Sequence, residues 1–492
     1  MPFLRKIVVA VVASLLSGIS GSLAADGIPS SAIAACTKLS QDPNFAHAFT
    51  GSPQYDHDIS HWSNASSLPS LCTMEPSSPQ QVQKLFSIIN DTRSPWAVKG
   101  LGHCNNNNMS ATYGLQIDMS RFSQISLSQD KQSVKVGMGV AWGQVYQVLG
   151  PHNLTAVGGR SPTVGVAGLS LSSGYSWVTN EYGFAIDNTL AADIVLPNGT
   201  FTTVSESHGG DIFRALQGGL NNFGIVTSIT LKTHPIGQVW GGSLTISGDL
   251  KALVDATVEY SAKPSNPKAT LAVEFLAKNG TATGLIIMFY DGAHPPPGLF
   301  DAFVKLPNST GEVKTQSFFE FVQAGEVAAS PTNRATWYSA PVLKWTRDMV
   351  EYVHQQVIEY SVKLAKQSKS GTLVSGNIEP FGPQAYGFSR GSAWPHDVDH
   401  PYNTFNGLMM WSDPSDDKAL FPLNVEYHTK VWNKAISLGL SKPKGQVFFP
   451  PNYSQNITPV EQIYGANLGW LRKLKQQVDP WGLISLTGGF KI

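Results

Sequence analysis

Residues 157–183, VGGRSPTVGVAGLSLSSGYSWVTNEYG, constrain the fold most, because Gly158, Gly159, Gly165, Gly168 and Gly174 interrupt both helical and strand patterning. Such a run strips side chains from a long surface and lets backbone approach a ligand, while Ser170, Ser172 and Ser173 add hydroxyl donors. It is not a dinucleotide fingerprint: no Gly-x-Gly-x-x-Gly follows a first strand with an acidic residue about 20 positions on, and there is no Walker lysine. A glycine-rich turn system without ligand is the alternative on composition. Two further clusters weigh against it, Gly100-Leu101-Gly102-His103 and Gly218-Gly219-Leu220-Asn221-Asn222-Phe223-Gly224-Ile225. The first leads into Cys104 and four consecutive asparagines, which favour a tight, non-helical loop.

Around these clusters the chain alternates short elements. Pro79 opens a helix whose apolar face includes Val82, Leu85, Phe86 and Ile89, and residues 96–99 read as a strand running into the His103 turn. A helix is expected at 142–149, and strands 192–196 and 201–204 flank the hairpin signal Pro197-Asn198-Gly199. A helix at 211–216 and a strand at 225–231 close this half. Beyond residue 241 glycine clusters thin out, strands 271–275 and 284–290 alternate with a helix at 344–367, and a last helix at 459–477 is stopped by Asp479-Pro480-Trp481-Gly482.

The chain has 492 residues, enough for two or three cores, since single cores stop growing at roughly 250 to 300 residues. With 34 Lys+Arg against 34 Asp+Glu, no net field draws nucleic acid or an anionic membrane, so a small neutral molecule is the expected partner. Arg5 and Lys6 precede the apolar residues 7–16, and Ser22-Leu23-Ala24 supplies a cleavage site, so 1–24 reads as a signal peptide and the mature chain as secreted. No other run approaches the roughly 20 apolar residues of a membrane span. Asn-x-Ser/Thr tripeptides at Asn64, Asn90, Asn108, Asn153, Asn198, Asn279, Asn308, Asn452 and Asn456 fit export of a glycoprotein. In an oxidising compartment Cys36 and Cys72 can close a loop tying the N-terminal helix to the first strand, leaving Cys104 as the odd thiol, a buried small hydrophobe rather than a catalytic group.

Eight motifs in one order then carry a resemblance: GLGH (100–103), AWGQVYQVL (141–149), VGGRSPTVGVAGLSLSSGYSW (157–177), YGFAIDN (182–188), LPNGT (196–200), GGLNNFGIVT (218–227), Asn452-Tyr453, and YGANLGWLRKLKQQVDPWG (464–482). Together they resemble the fungal secreted branch of the berberine bridge enzyme-like FAD-linked oxidases, which have the vanillyl alcohol oxidase or PCMH-type flavin fold. The likeness covers nearly the whole mature chain. It implies an α+β protein: a PCMH-type FAD-binding domain of two α/β subdomains at 26–237 (core 68–237), a substrate domain at 238–444 with an antiparallel sheet covered by helices, and a segment at 445–492 that returns to the FAD domain.

By the same resemblance His103 bonds covalently to the flavin 8α-methyl group. Ser161 stands where bicovalent members have a cysteine, so His103 is expected to be the sole link and Cys104 a bystander; Leu101 replaces a usual glycine. The expected cofactor-binding set is Gly100, Leu101, Gly102, His103, Gly158, Ser161, Gly165, Val166, Gly168, Ser172, Gly174, Gly224, Ile225, Asn452 and Tyr453. Val166 matches the family's oxygen-gate position, which favours an oxidase; otherwise it is simply a small apolar residue between glycines. Tyr453 is the first candidate to take a substrate hydroxyl proton, with Asp397 and Tyr402, near His396, as pocket groups behind it. No metal is expected, because Asp397-Val398-Asp399-His400 lacks further grouped ligands. The expected activity is hydride removal from an alcohol or similar carbon of a small molecule, a secondary-metabolite intermediate, with electrons passed to dioxygen to give hydrogen peroxide by a monomeric enzyme. Three readings stand beside it: a sugar or oligosaccharide oxidase, a cyclase that uses FAD without net redox, and a non-catalytic flavin-binding secreted protein.

Overall fold

Helical periodicity sets the first layer of a computed structural model that describes residues 29–263, 265–325, 333–399 and 402–492; the expected signal peptide at 1–24 lies outside these residues. Val82, Leu85, Phe86 and Ile89 lie buried along the helix Pro79–Thr92. Ser78 caps it by accepting from the Gln81 amide at 3.3 Å, and Pro79 fills the first turn, where an amide would lack an intrahelical partner anyway. The helix carries the chain from strand Cys72–Glu75 to strand Trp96–Lys99, with Leu115–Asp118 between them and parallel to both. Ala46–Ala48 pairs antiparallel with Cys72–Glu75 to complete four strands. Cys36, on the helix Ser30–Ser40, is disulfide-bonded to Cys72, as expected.

A second, antiparallel sheet runs in the order Ile125–Leu127, Ser133–Gly137, Ile225–Pro235, Thr189–Val195 and Phe201–Ser205, with Leu154–Ala156 beside one end of Ile225–Pro235. Pro197-Asn198-Gly199 joins Thr189–Val195 to Phe201–Ser205 in the expected hairpin. The third sheet has seven antiparallel strands, ordered Ser309–Ser317, Gln238–Ser247, Thr281–Tyr290, Ala269–Lys278, Leu373–Glu379, Thr404–Trp411 and Arg334–Pro341. Side chains of a strand alternate between faces. Val273, Phe275, Ile378 and Phe405 share a core with Val353, Val357 and Tyr427 of the helices Arg347–Gln367 and Asp417–Ser437. Glu274, Asn377, Asn406 and Ser339, in register across four neighbouring strands, therefore line the opposite face.

The last segment departs from the expected single helix at 459–477. Gly465 takes φ +49°, a region L side chains avoid, and the Phe448 ring fills the place of its Cβ; the chain runs instead as Glu461–Tyr464, a 3-10 turn and the helix Leu468–Val478. Leu471, Leu474 and Val478 bury in the core of the N-terminal half. Trp96 Nε1 donates to Leu483 O at 3.0 Å, and Asn222 Nδ2 to Phe490 O at 2.6 Å. Among the described residues no helix is long and apolar enough to cross a membrane.

Closing the loop between Cys36 and Cys72, 36 positions apart, removes unfolded-state entropy worth on the order of 3 kcal/mol. Replacing both cysteines by alanine is expected to lower the thermal unfolding midpoint by several degrees in differential scanning calorimetry; an unchanged midpoint would refute this contribution.

Candidate active site

The turn carrying His103 is held from beneath. Lys99, at the end of its strand, ion-pairs with Asp118 Oδ2 at 2.9 Å and donates to the backbone oxygens of His57 and Ser60 at 3.0 and 3.3 Å. The turn then crosses that same backbone: a Cβ on Gly102, whose φ is +69°, would lie 2.7 Å from Ser60 O, so only glycine fits. Trp62 N donates to Gly102 O at 2.9 Å, and the His103 ring stacks on Trp62 with centroids 5.5 Å apart and planes inclined by 20°. Trp337, from the seven-stranded sheet, stacks on the other indole at 4.8 Å. Burial among these rings pulls His103 down to about 4, so the imidazole is neutral at physiological pH. Burial likewise pushes the Cys104 thiol up, which keeps it protonated and poorly nucleophilic.

The asparagine run forms a clasp. Asn106 Nδ2 donates to Ser454 O at 2.8 Å, and Asn456 N donates to Asn106 Oδ1 at 3.2 Å, so the segment bearing Asn452 and Tyr453 is drawn against the His103 loop. The glycine-rich block meets the same loop. A Cβ on Gly165 would lie 3.1 Å from Leu101 Cβ, and one on Gly100 would lie 3.1 Å from Ala167 Cβ. Val166, fully buried, donates its amide to Val140 O at 2.9 Å and opens the short helix Val166–Ser170.

Other predicted cofactor positions shape the backbone. Gly158 leaves room for the Trp142 indole and Gly174 for Ala185, while Ser172 Oγ donates to Gly168 O at 2.7 Å. Gly224 lets its strand approach Val195 O, and Ile225 pairs with Val195. Ser161 Oγ lies 3.2 Å from Thr163 Oγ1, and Ser173 Oγ donates to Asn452 Oδ1. Gly168 faces open space within 4 Å of where a Cβ would stand, and the buried Ser170 Oγ and Asn105 Nδ2 have no protein partner. An open glycine and two unspent polar groups in these segments fit a ligand with polar edges, as FAD is.

Tyr453 closes the 3-10 turn Pro451–Tyr453 and sits among charges and rings that sequence reasoning did not pick out. Its hydroxyl accepts from Arg160 Nη2 at 2.9 Å, and its carbonyl accepts from Ser339 Oγ at 2.9 Å. Arg160 is ion-paired with Glu379, whose side chain is fully buried, and its guanidinium lies over Trp177 at 5.5 Å and Phe381 at 5.8 Å. Burial drives the Tyr453 phenol above its ordinary range, against the opposing pull of Arg160.

Tyr402, 1% exposed, places its hydroxyl 3.0 Å from Ser339 Oγ, and its carbonyl accepts from Tyr175 Oη at 2.9 Å and from Tyr386 Oη. It thus supports the serine that holds Tyr453. His396 Nε2 lies 2.8 Å from Asp187 Oδ1 in a buried pair; burial opposes its charge but Asp187 prevails, raising the imidazole pKa, and half-buried Asp397 adds to that field. Asp397 is thereby associated with the His396–Asp187 pair, whereas Tyr402 joins the Tyr453 cluster. One sequence signal for the missed cation existed: Arg160 is the only charged residue between 157 and 180. Trp62, Trp337 and Glu379 had none.

A family model described as an FAD binding domain matches residues 70–205. An FAD-dependent monooxygenase of Arthrobotrys oligospora is 32% identical, covering 85% of this chain and 81% of that protein. Among solved structures, the Physcomitrella patens BBE-like 1 protein superposes with a TM-score of 0.73 at 19% identity, covering 93% of this chain and 98% of that one. The xylooligosaccharide oxidase from Myceliophthora thermophila superposes with a TM-score of 0.71 at 20% identity, covering 93% and 99%. The sheets that bring the GLGH turn, the glycine-rich block and the Asn-Tyr segment into one seam are thus those of a known fold, and the chain belongs to the FAD-linked oxidoreductases of berberine bridge enzyme-like architecture, with FAD as its cofactor.

Proposed function

We propose that the protein is an exported oxidase that removes hydride from a hydroxyl-bearing carbon of a small molecule, a secondary-metabolite intermediate, with residues 26–237 and 445–492 holding FAD and 238–444 holding substrate. The observation that carries this reading is the Asn106 clasp, which draws the Tyr453 segment onto the His103 loop. FAD held by these segments would supply a hydride acceptor that dioxygen can reoxidise, with hydrogen peroxide as the product. Val166, small and buried within the glycine-rich block, stands at the position to which the family resemblance assigns dioxygen access. The disulfide between Cys36 and Cys72 supports export.

The chain's own residues divide the remaining work. His103, neutral at physiological pH, is available as the covalent attachment point, and the two indoles fix its ring plane. In its phenolate form, Tyr453 takes the hydroxyl proton on its phenolic oxygen as the substrate carbonyl forms. On the sheet face bearing Asn377, Asn406 and Ser339, Asn377 Oδ1 has no protein partner and is the acceptor left for a hydroxylated substrate. Trp62 and Trp337 stack on one another beside His103, so their shared faces are not sugar platforms.

Acid-precipitated protein is expected to keep a yellow pellet, whereas His103→Ala leaves a white pellet with FAD recovered in the supernatant; equal pellet absorbance in the two would exclude His103 as the link. Screening an alcohol panel for peroxide release identifies a substrate. With that substrate, Tyr453→Phe is expected to slow anaerobic bleaching of the flavin band by about 10² or more in stopped-flow measurements, and an unaltered rate would remove Tyr453 from the role of base.

A further inference from the structure

A phenol whose pKa is raised by burial keeps its own proton at neutral pH, so its immediate charges decide whether Tyr453 can serve. The charged groups that act on it are Arg160, from the glycine-rich block, and Glu379, from the strand Leu373–Glu379; Tyr175 and Tyr402 also face it, as neutral phenols. The contact with Tyr453 is built rather than incidental. Asn406 Nδ2 donates to Glu379 Oε2 at 3.0 Å, Asn377 Nδ2 donates to Oε1 at 3.2 Å, and Thr404 Oγ1 donates to Asn406 Oδ1 at 2.7 Å, which sets the amide's orientation. Glu379 is therefore anchored by its own strand and the neighbouring one and takes Arg160 through Oε1 and Nη1, while Nη2 bonds the Tyr453 hydroxyl. One fork nitrogen is thus spent on the carboxylate and the other on the phenol, so the guanidinium bridges the two.

We propose that Arg160 and Glu379 act as an opposed pair of positioning residues that sets the proton affinity of Tyr453, the guanidinium stabilising the phenolate and the carboxylate tempering that pull. With Tyr453 as phenol the trio sums to zero charge; with phenolate it carries one negative charge. Removing the carboxylate's charge makes the phenolate state neutral overall, and removing the guanidinium's leaves two negative charges in contact. The two substitutions act in opposite directions, which loss of packing would not produce. The inference rests on Tyr453 as the base.

The test uses the full-length protein with its FAD and 3,5-difluorotyrosine at position 453, whose hydroxyl is more acidic than tyrosine's, read by 19F NMR across pH. Glu379→Gln, which keeps one acceptor oxygen for Arg160 and Asn377, is expected to lower the midpoint by roughly one pH unit or more. The pair Arg160→Gln with Glu379→Gln, which leaves no unpaired buried charge, is expected to titrate well above Glu379→Gln alone. A midpoint that Glu379→Gln leaves unchanged or raises, or a double variant that titrates with the single one, would overturn the proposal. The readout needs no substrate: if Tyr453→Phe bleaches the flavin band normally, the base assignment fails while the ordering of midpoints still judges the opposed pair.

Discussion

Arg160 carries a positive charge into the seam between the two halves of the molecule, and three distant parts of the chain meet to compensate it. The glycine-rich block supplies the guanidinium, the seven-stranded sheet supplies Glu379, and the C-terminal segment supplies the Tyr453 hydroxyl. Stripping one partner from a buried ion pair of this kind costs about 3–5 kcal/mol, because the other charge is left out of water without compensation. That penalty pins the register of the halves where chemistry is done. Trp177 and Phe381, from the same two segments, lie over the guanidinium and cover part of it.

The His103 side of the seam relies on rings instead of charges. Trp62 from the N-terminal half and Trp337 from the sheet stack face to face, with Ala335 and Leu408 completing a small apolar cluster against which the imidazole lies. A cation there would be poorly solvated, so the ring stays neutral and keeps a lone pair. Between these poles, the asparagine run ties the loop bearing His103 to the segment bearing Tyr453 through backbone atoms of residues 454 and 456. A polar run that reads locally as turn material holds the site together.

Much of the fold was legible where local pattern and tertiary demand agree. The helix Pro79–Thr92, the helix Trp142–Leu149 and the hairpin at Pro197-Asn198-Gly199 follow apolar spacing, caps and turn chemistry. Pattern failed where a distant group overrode it. Phe448 occupies the space beside Gly465 and breaks a helix whose own periodicity runs on, and the helix Asp417–Ser437 continues through Pro422, a residue that ordinarily argues for a stop. Tyr402 stood out in the sequence as a polar pocket residue, yet its hydroxyl supports Ser339 from a buried position.

The sequence by itself determined the family and the cofactor, because an ordered set of motifs is a property of short stretches. It singled out His103 and Tyr453 on that basis, and the pairing of Cys36 with Cys72 from the cysteine count and an oxidising compartment. Only the tertiary structure decided that Arg160 bonds the Tyr453 hydroxyl, that Glu379 holds Arg160, and that two tryptophans frame His103. Arg160 and Glu379 are 219 positions apart, and Trp62 and Trp337 are 275 apart. No local spacing encodes such pairs; they exist because sheet register and the returning C-terminal segment bring their backbones together, after which burial selects partners that cancel charge or stack.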